Sequence, residues 1–98
     1  MFGRTYTTGE FAKLCGTTKD TLFLYDRKGI LKPDIVKENG YRRYNYMHWY
    51  IYWTIKFFKT TGLSLDEISD IQKRNVDDEE LINIFTEKQA EISKEQLK

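Results

Sequence analysis

From Thr7 to Tyr44 the apolar positions fall into short runs divided by turn residues. Thr7-Thr8-Gly9-Glu10 opens a helix, because Thr7 can cap a free backbone amide and Glu10, three residues on, can return the bond. The apolar side of this helix is Phe11, Ala12 and Leu14. Cys15-Gly16-Thr17 makes a turn, and Thr18 caps a second helix predicted from about Lys19 to Lys28, which Gly29 and then Pro33 stop. Ala12 and Gly16, four apart, permit a close crossing, and Phe11, Cys15, Leu22 and Tyr25 fall where the two helices face one another. The pattern is that of a helix-turn-helix, two helices meeting at a sharp angle. An ordinary helical hairpin is the plainer alternative, but it leaves the next segment unexplained.

That segment, from Ile35 to Tyr44, alternates around Asn39-Gly40, a strong signal for a two-residue type I′ hairpin. On a two-stranded ribbon Tyr41 and Arg43 project to one face, Arg42 and Tyr44 to the other. Tyr41 and Tyr44 either pack the ribbon onto the helices or reach a ligand; Arg42 is expected to face phosphate. Two helices followed at once by a hairpin are the layout of a winged helix-turn-helix, with DNA as the expected ligand.

Asn45 can cap a third helix, Tyr46 to about Thr60, whose residues include Trp49, Tyr50, Ile51, Trp53, Ile55, Phe57 and Phe58. With His48, Lys56 and Lys59 inside it, the segment is too short and too charged to span a bilayer, and it is read as the central core helix. Its aromatic surplus points to part of the surface facing a partner subunit or a further domain. Gly62 ends this helix, and Ser64-Leu65-Asp66-Glu67 is a second capping box, leading into Ile68 and Ile71 of a short fourth helix. Asn75 to Asp78 break the pattern. From Glu79 a polar helix carries Leu81, Phe85, Lys88, Ile92 and Gln96 along one stripe, too thin to fold alone. It is read as one strand of an antiparallel coiled coil with a second copy, a frayed surface helix being the bland alternative. Its end on Gln-Leu-Lys without a C-cap is that of a longer helix cut short.

The expected class is therefore mainly α: a winged helix-turn-helix with a small β-hairpin wing, four helices, and the start of a C-terminal dimerisation helix. Residues 1–75 form the winged domain (helix-turn-helix about 7–28, wing about 34–44), and 76–98 begin the coiled coil. For 98 residues one small domain is expected, and its net charge of +1 hides an asymmetry. Through Thr60 there are eleven Lys or Arg against five Asp or Glu; after it, five against ten. The basic half holds the helix-turn-helix, as a phosphate-binding face requires. With one cysteine, Cys15, no disulfide framework forms within the chain, and without a secretory leader before Thr5 the cytoplasm is the expected setting. His48 is the only histidine, so neither a zinc site nor a Cys/His nucleophile can be assembled, and the run Asp77 to Glu80 complements a helix dipole. No cofactor, metal or enzymatic activity is expected.

Several of these segments resemble the MerR family of bacterial transcription regulators: Tyr6-Thr7-Thr8-Gly9-Glu10-Phe11-Ala12, Thr21-Leu22, Tyr25-Asp26, Gly29-Ile30-Leu31-Lys32-Pro33, Asn39-Gly40-Tyr41-Arg42-Arg43-Tyr44 and Gly62-Leu63-Ser64-Leu65-Asp66-Glu67-Ile68. The stretch Glu79-Glu80-Leu81 to Phe85-Thr86-Glu87 resembles the multidrug-sensing branch, where a ligand-binding domain follows that this chain lacks. The resemblance implies a homodimer joined by the last helix through Leu81, Phe85, Lys88 and Ile92. It also implies two recognition helices and two wings on palindromic double-stranded promoter DNA, which the dimer distorts so that RNA polymerase engages both promoter elements. A small-molecule effector would act only through the missing domain.

Carried over residue by residue, the family's recognition-helix pattern Thr-Leu-Arg-Tyr-Tyr stands here as Thr21-Leu22-Phe23-Leu24-Tyr25. An arginine and a tyrosine that usually meet DNA are replaced by Phe23 and Leu24, which either touch thymine methyls or leave the work to other donors. Thr18, Lys19, Thr21, Tyr25 and Lys28 remain as polar candidates on this helix. Tyr41 belongs to the wing, Arg42 matches the wing arginine, and Arg43 replaces a common aromatic. Lys56 and Lys59, near the corner at Gly62, form a candidate phosphate clamp. The competing class is a protein-interaction module on a winged-helix scaffold that no longer reads DNA; Phe23 and Leu24 favour it, while Arg42, Arg43 and the basic half oppose it.

Overall fold

The computed structural model describes residues 3–97, with side chains through residue 94. The side chain of Gln96, and with it the Gln-Leu-Lys end expected to lack a C-cap, lies outside the described side chains. Chain order is α1 (Thr8–Cys15), α2 (Lys19–Arg27), β1 (Asp34–Ile35), β2 (Arg42–Arg43), α3 (Tyr46–Thr60), α4 (Leu65–Arg74) and α5 (Asp78–Leu97). The chain is thus mainly α with one small hairpin, and it divides into two compact units, residues 1–54 and 55–98, with α3 running through the division.

In the first unit the capping chemistry sets the helix starts. Thr7 Oγ1 accepts from the Glu10 amide and Glu10 Oε1 accepts from the Thr7 amide, closing a capping box that satisfies two amides otherwise left open. Gly16, at φ 70°, ends α1 in the left-handed region, where a side chain would be strained. Thr18 Oγ1 then accepts from the Thr21 amide to start α2. Phe11, Ala12, Cys15, Leu22 and Tyr25 are all buried, as their spacing on the two helices requires. Leu14 is not: it is 49% exposed, because it lies on the flank of α1 beside Tyr46 and Trp49 instead of under α2.

The ribbon is shorter and its loop longer than expected. Asp34 pairs with Arg43 and Ile35 with Arg42, antiparallel, and the Val36 amide donates to the Tyr41 carbonyl. Residues 37–40 therefore form a four-residue loop, closed by the Gly40 amide on the Val36 carbonyl. A type I′ turn needs positive φ at both central residues. Gly40 has it, at 71°, but Asn39 does not; its side-chain oxygen instead accepts from the Tyr41 amide. The register moves by two residues, so the faces are preserved. Tyr44 turns inward, stacked on Phe11 with ring centroids 4.5 Å apart, and a bridge between Tyr6 and Tyr44 brings the segment before α1 alongside the ribbon.

Asn45 begins α3: its Oδ1 accepts from the amides of Met47 and His48, while His48 Nδ1 accepts from the Asn45 amide. In the second unit Ser64 and Glu67 close another capping box, and the buried residues are Ile55, Phe58, Leu63, Ile68, Ser69 and Ile71. The α5 helix lies on this unit: Phe85 meets Phe57 and Phe58, Lys88 Nζ is 3.1 Å from Glu67, and Ile92 closes on Gly62. Among the described residues no helix is long and apolar enough to cross a membrane.

Candidate nucleic-acid interface

The start of α1, one side of α2 and the far strand of the ribbon enclose an open groove of about 500 Å³ in the first unit. Residues 7–9 form its floor at one end, Lys19 and Phe23 supply one wall, and residues 40–43 supply the other. Lys19, Arg42 and Arg43 make it basic. Arg42 reaches α2 from the ribbon, while Tyr41, on the same wall of the groove, is 66% exposed.

Arg42 is held by two groups of α2. Its Nη2 donates to Asp26 Oδ2 at 3.1 Å, and its guanidinium carbon lies 5.0 Å from the centroid of the Phe23 ring. Asp26 also accepts from Lys32 Nζ, at 3.1 Å on Oδ1. Partial burial by itself raises the Asp26 carboxyl, but the bonds from Lys32 and Arg42 outweigh it and hold the group below its ordinary value. Arg43 turns away to Thr5, giving Nε and Nη2 bonds of 3.1 and 2.8 Å to its hydroxyl and a third to its carbonyl.

The remaining candidates of α2 take different places. Lys19 is exposed; Thr18 and Thr21 place their hydroxyls 3.0 Å apart at the helix start, the first exposed and the second half-buried. Phe23 and Leu24 are half-buried, and Lys28 caps the helix end. Tyr25, a candidate both for the helix contact and for a polar contact, is only 3% exposed, its ring 6.3 Å from that of Tyr52. Burial first, and Tyr52 second, raise its hydroxyl above the ordinary value. Lys56 and Lys59 are exposed on the part of α3 that belongs to the second unit. Leu81, Phe85, Lys88 and Ile92 are half-buried on α5.

Sequence reasoning missed Asp26, Lys32 and Thr5. The signal for Asp26 lay in its spacing: three residues after Phe23, it shares a face of α2 with the ring. Nothing local pairs either with Arg42, sixteen residues beyond Asp26. Among the described residues no group of three or more His, Cys, Asp or Glu could hold a metal ion, and burial pushes the Cys15 thiol up to about 11.

Comparison with known proteins agrees with this geometry. The family described as "MerR family regulatory protein" matches residues 7–44, which span the two helices and the ribbon. The multidrug-efflux transporter 2 regulator of Bacillus subtilis is 44% identical over 89 residues, covering 91% of this chain. The chain spans 32% of that relative's length. Among solved structures, the N-terminal part of the Bacillus subtilis multidrug transporter activator, MtaN, superposes with a TM-score of 0.76 at 29% identity over 93% of this chain and 85% of its own. HiNmlR, a MerR family regulator lacking the sensor domain and solved bound to promoter DNA, gives 0.72 at 26% identity, covering 96% of this chain and 78% of its own. With the helix pair, the ribbon and these matches in agreement, the chain carries a MerR-family domain of winged helix-turn-helix fold.

Proposed function

We propose that this chain is the DNA-binding part of a transcription regulator, acting in the cytoplasm as a homodimer on a palindromic site within a promoter. The observation that carries the reading is the basic groove between α2 and the ribbon. There Lys19 of α2 and Arg42 of the ribbon, 23 residues apart in sequence, line the same groove, and Asp26 of α2 holds Arg42 in place. In such a fold the second helix enters the major groove and the flanking elements hold the backbone. HiNmlR, of the same fold, is solved on promoter DNA, and the Bacillus subtilis relative is a regulator of a multidrug-efflux transporter.

Recognition then divides by residue. Lys19, Arg42 and Arg43, with Thr18 and Tyr41, position the protein on phosphate; Thr21 and Leu24 face the bases, and Phe23 lies between the helix and Arg42. Lys28 at the end of α2 extends the phosphate contacts, and Lys56 and Lys59 on α3, in the second unit, are a separate candidate phosphate clamp. Tyr25 shapes the helix from beneath. The α5 helix joins two copies, through what Leu81, Phe85, Lys88 and Ile92 leave exposed beside their contacts with the second unit, so that two recognition helices meet two half-sites related by the same symmetry. Distortion of the promoter between them, through phosphate contacts and shape, controls access by RNA polymerase.

Selection from a pool of random duplexes tests the reading. Recovery of an enriched palindrome supports a dimeric operator reader; recovery of no duplex above background contradicts it.

A further inference from the structure

Phe23 stands where a DNA-facing helix is expected to carry a polar side chain, and its ring face is already occupied. The Arg42 guanidinium lies 5.0 Å from the ring centroid, the distance of a cation held by the negative face of an aromatic ring. Its edge is held by Asp26, at 3.1 Å through Nη2. The ring and the carboxylate, three residues apart on α2, form a two-sided seat for an arginine that arrives from the ribbon. Arg42 nevertheless keeps 42% of its side chain exposed, and a guanidinium has five N–H donors in a planar fork, so donors remain for an anion in the groove. Without such a seat, a long side chain on a two-residue strand must be ordered when an anion binds, which weakens the binding.

We propose that Phe23 is a positioning residue for Arg42: it holds the guanidinium ready for one backbone phosphate and acts on DNA binding through that arginine, not by reading a base. The proposal rests on the DNA-binding reading above. It differs from a direct contact between Phe23 and a thymine methyl, which the major groove also offers, in what each predicts.

The test is a double-mutant cycle with wild type, Phe23→Leu, Arg42→Ala and the double variant. Each is titrated against a mixed-sequence duplex and against the same duplex with uracil in place of thymine. Phe23→Leu keeps the apolar bulk and removes the ring, Phe23→Tyr keeps the ring, and circular dichroism melts identify any variant that fails to fold. The expected result is a loss of about two- to five-fold in affinity for Phe23→Leu. That loss is absent in the Arg42→Ala background, equal on both duplexes, and not seen in Phe23→Tyr. A loss that persists without Arg42, or that disappears on the uracil duplex, overturns the proposal. A measurement without DNA separates this from the functional reading. The Arg42 side-chain protons of the free protein show an upfield ring-current shift that Phe23→Leu abolishes; unshifted protons overturn the seat itself. Failure of the wild type to bind either duplex, with the shift present, overturns instead the DNA-binding reading.

Discussion

Asp26 Oδ2 and Arg42 Nη2 stand 3.1 Å apart, so a single carboxylate of α2 ties the ribbon to the helix it flanks. The same group takes Lys32 on its other oxygen. Its side chain is 18% exposed, which places the pairs between a surface ion pair and a buried one.

Asp26→Asn is therefore expected to lower stability by about 1 kcal/mol at neutral pH, since exposed pairs contribute roughly 0.2–1 kcal/mol each. The pH dependence has a definite sign. A carboxyl whose folded pKa is depressed contributes stability that is present above its unfolded value, about 3.9, and lost as the pH falls through the folded value. Thermal melts of the wild type should thus fall more steeply below about pH 4 than those of Asp26→Asn. Glu10 and Glu67, held below their ordinary values first by the backbone amides of Thr7 and Ser64, leave a common slope in both proteins. Parallel pH profiles would contradict the role of Asp26.

The Tyr44 hydroxyl is buried with no hydrogen-bond partner of ordinary geometry, although the ring stacks well on Phe11. Burial raises this hydroxyl, and the neighbouring Thr8 side chain works in the opposite direction. A buried polar group left unpaired is unfavourable, so Tyr44→Phe should be neutral or stabilising, within about 1 kcal/mol. Phe11→Ala, which removes the stacked ring, should cost about 3–5 kcal/mol. Denaturant titration checks both; a large loss for Tyr44→Phe would reveal a partner for the hydroxyl.

Gly62 has φ 95°, and a Cβ there would stand 2.5 Å from Ile92 Cδ1 and 3.3 Å from Lys88 Cγ. Gly62→Ala must both strain the backbone and displace α5 side chains, for a loss of more than about 1 kcal/mol. Gly40, at φ 71° with open space around it, provides the comparison: Gly40→Ala carries only the backbone term of roughly 1–2 kcal/mol. In denaturant melts, Ile92→Ala and Gly62→Ala/Ile92→Ala should differ from each other by less than wild type and Gly62→Ala do. Equal differences would show that Ile92 is not what Gly62 accommodates.

His48 is 6% exposed and its Nδ1 accepts the Asn45 amide at 2.9 Å. Hydrogen bonding fixes the tautomer, so the neutral ring should carry its proton on Nε2, which faces Asp34 at 3.9 Å. Nitrogen chemical shifts of the imidazole report this directly, and a proton on Nδ1 would contradict the cap.

Where the determinants are local, they were legible in the chain. Thr7 with Glu10, Ser64 with Glu67, Asn45 and Gly16 each act within a few residues, and each does in the fold what its spacing implies. The alternation of Arg42 and Tyr44 survived even though the loop was misjudged, because a shift of two residues leaves the faces unchanged. What could not be read were the long-range partners. Leu14 looks like a core residue until the neighbours of α1 are known, and Arg43 looks like a free cation until Thr5 is beside it. The seat of Arg42 joins residues 16 and 19 positions away, a pairing that only the return of the ribbon onto α2 creates.

The most direct test of DNA binding is the affinity of this chain for a duplex measured across salt concentration. Neutralising at least four phosphates should make the logarithm of the binding constant fall linearly with that of salt. Between about 50 mM and 200 mM the loss is then on the order of a hundredfold, and Arg42→Ala gives a shallower slope. Binding that is unchanged by salt, or no binding at the lower concentration, would contradict a phosphate-holding surface between α2 and the ribbon.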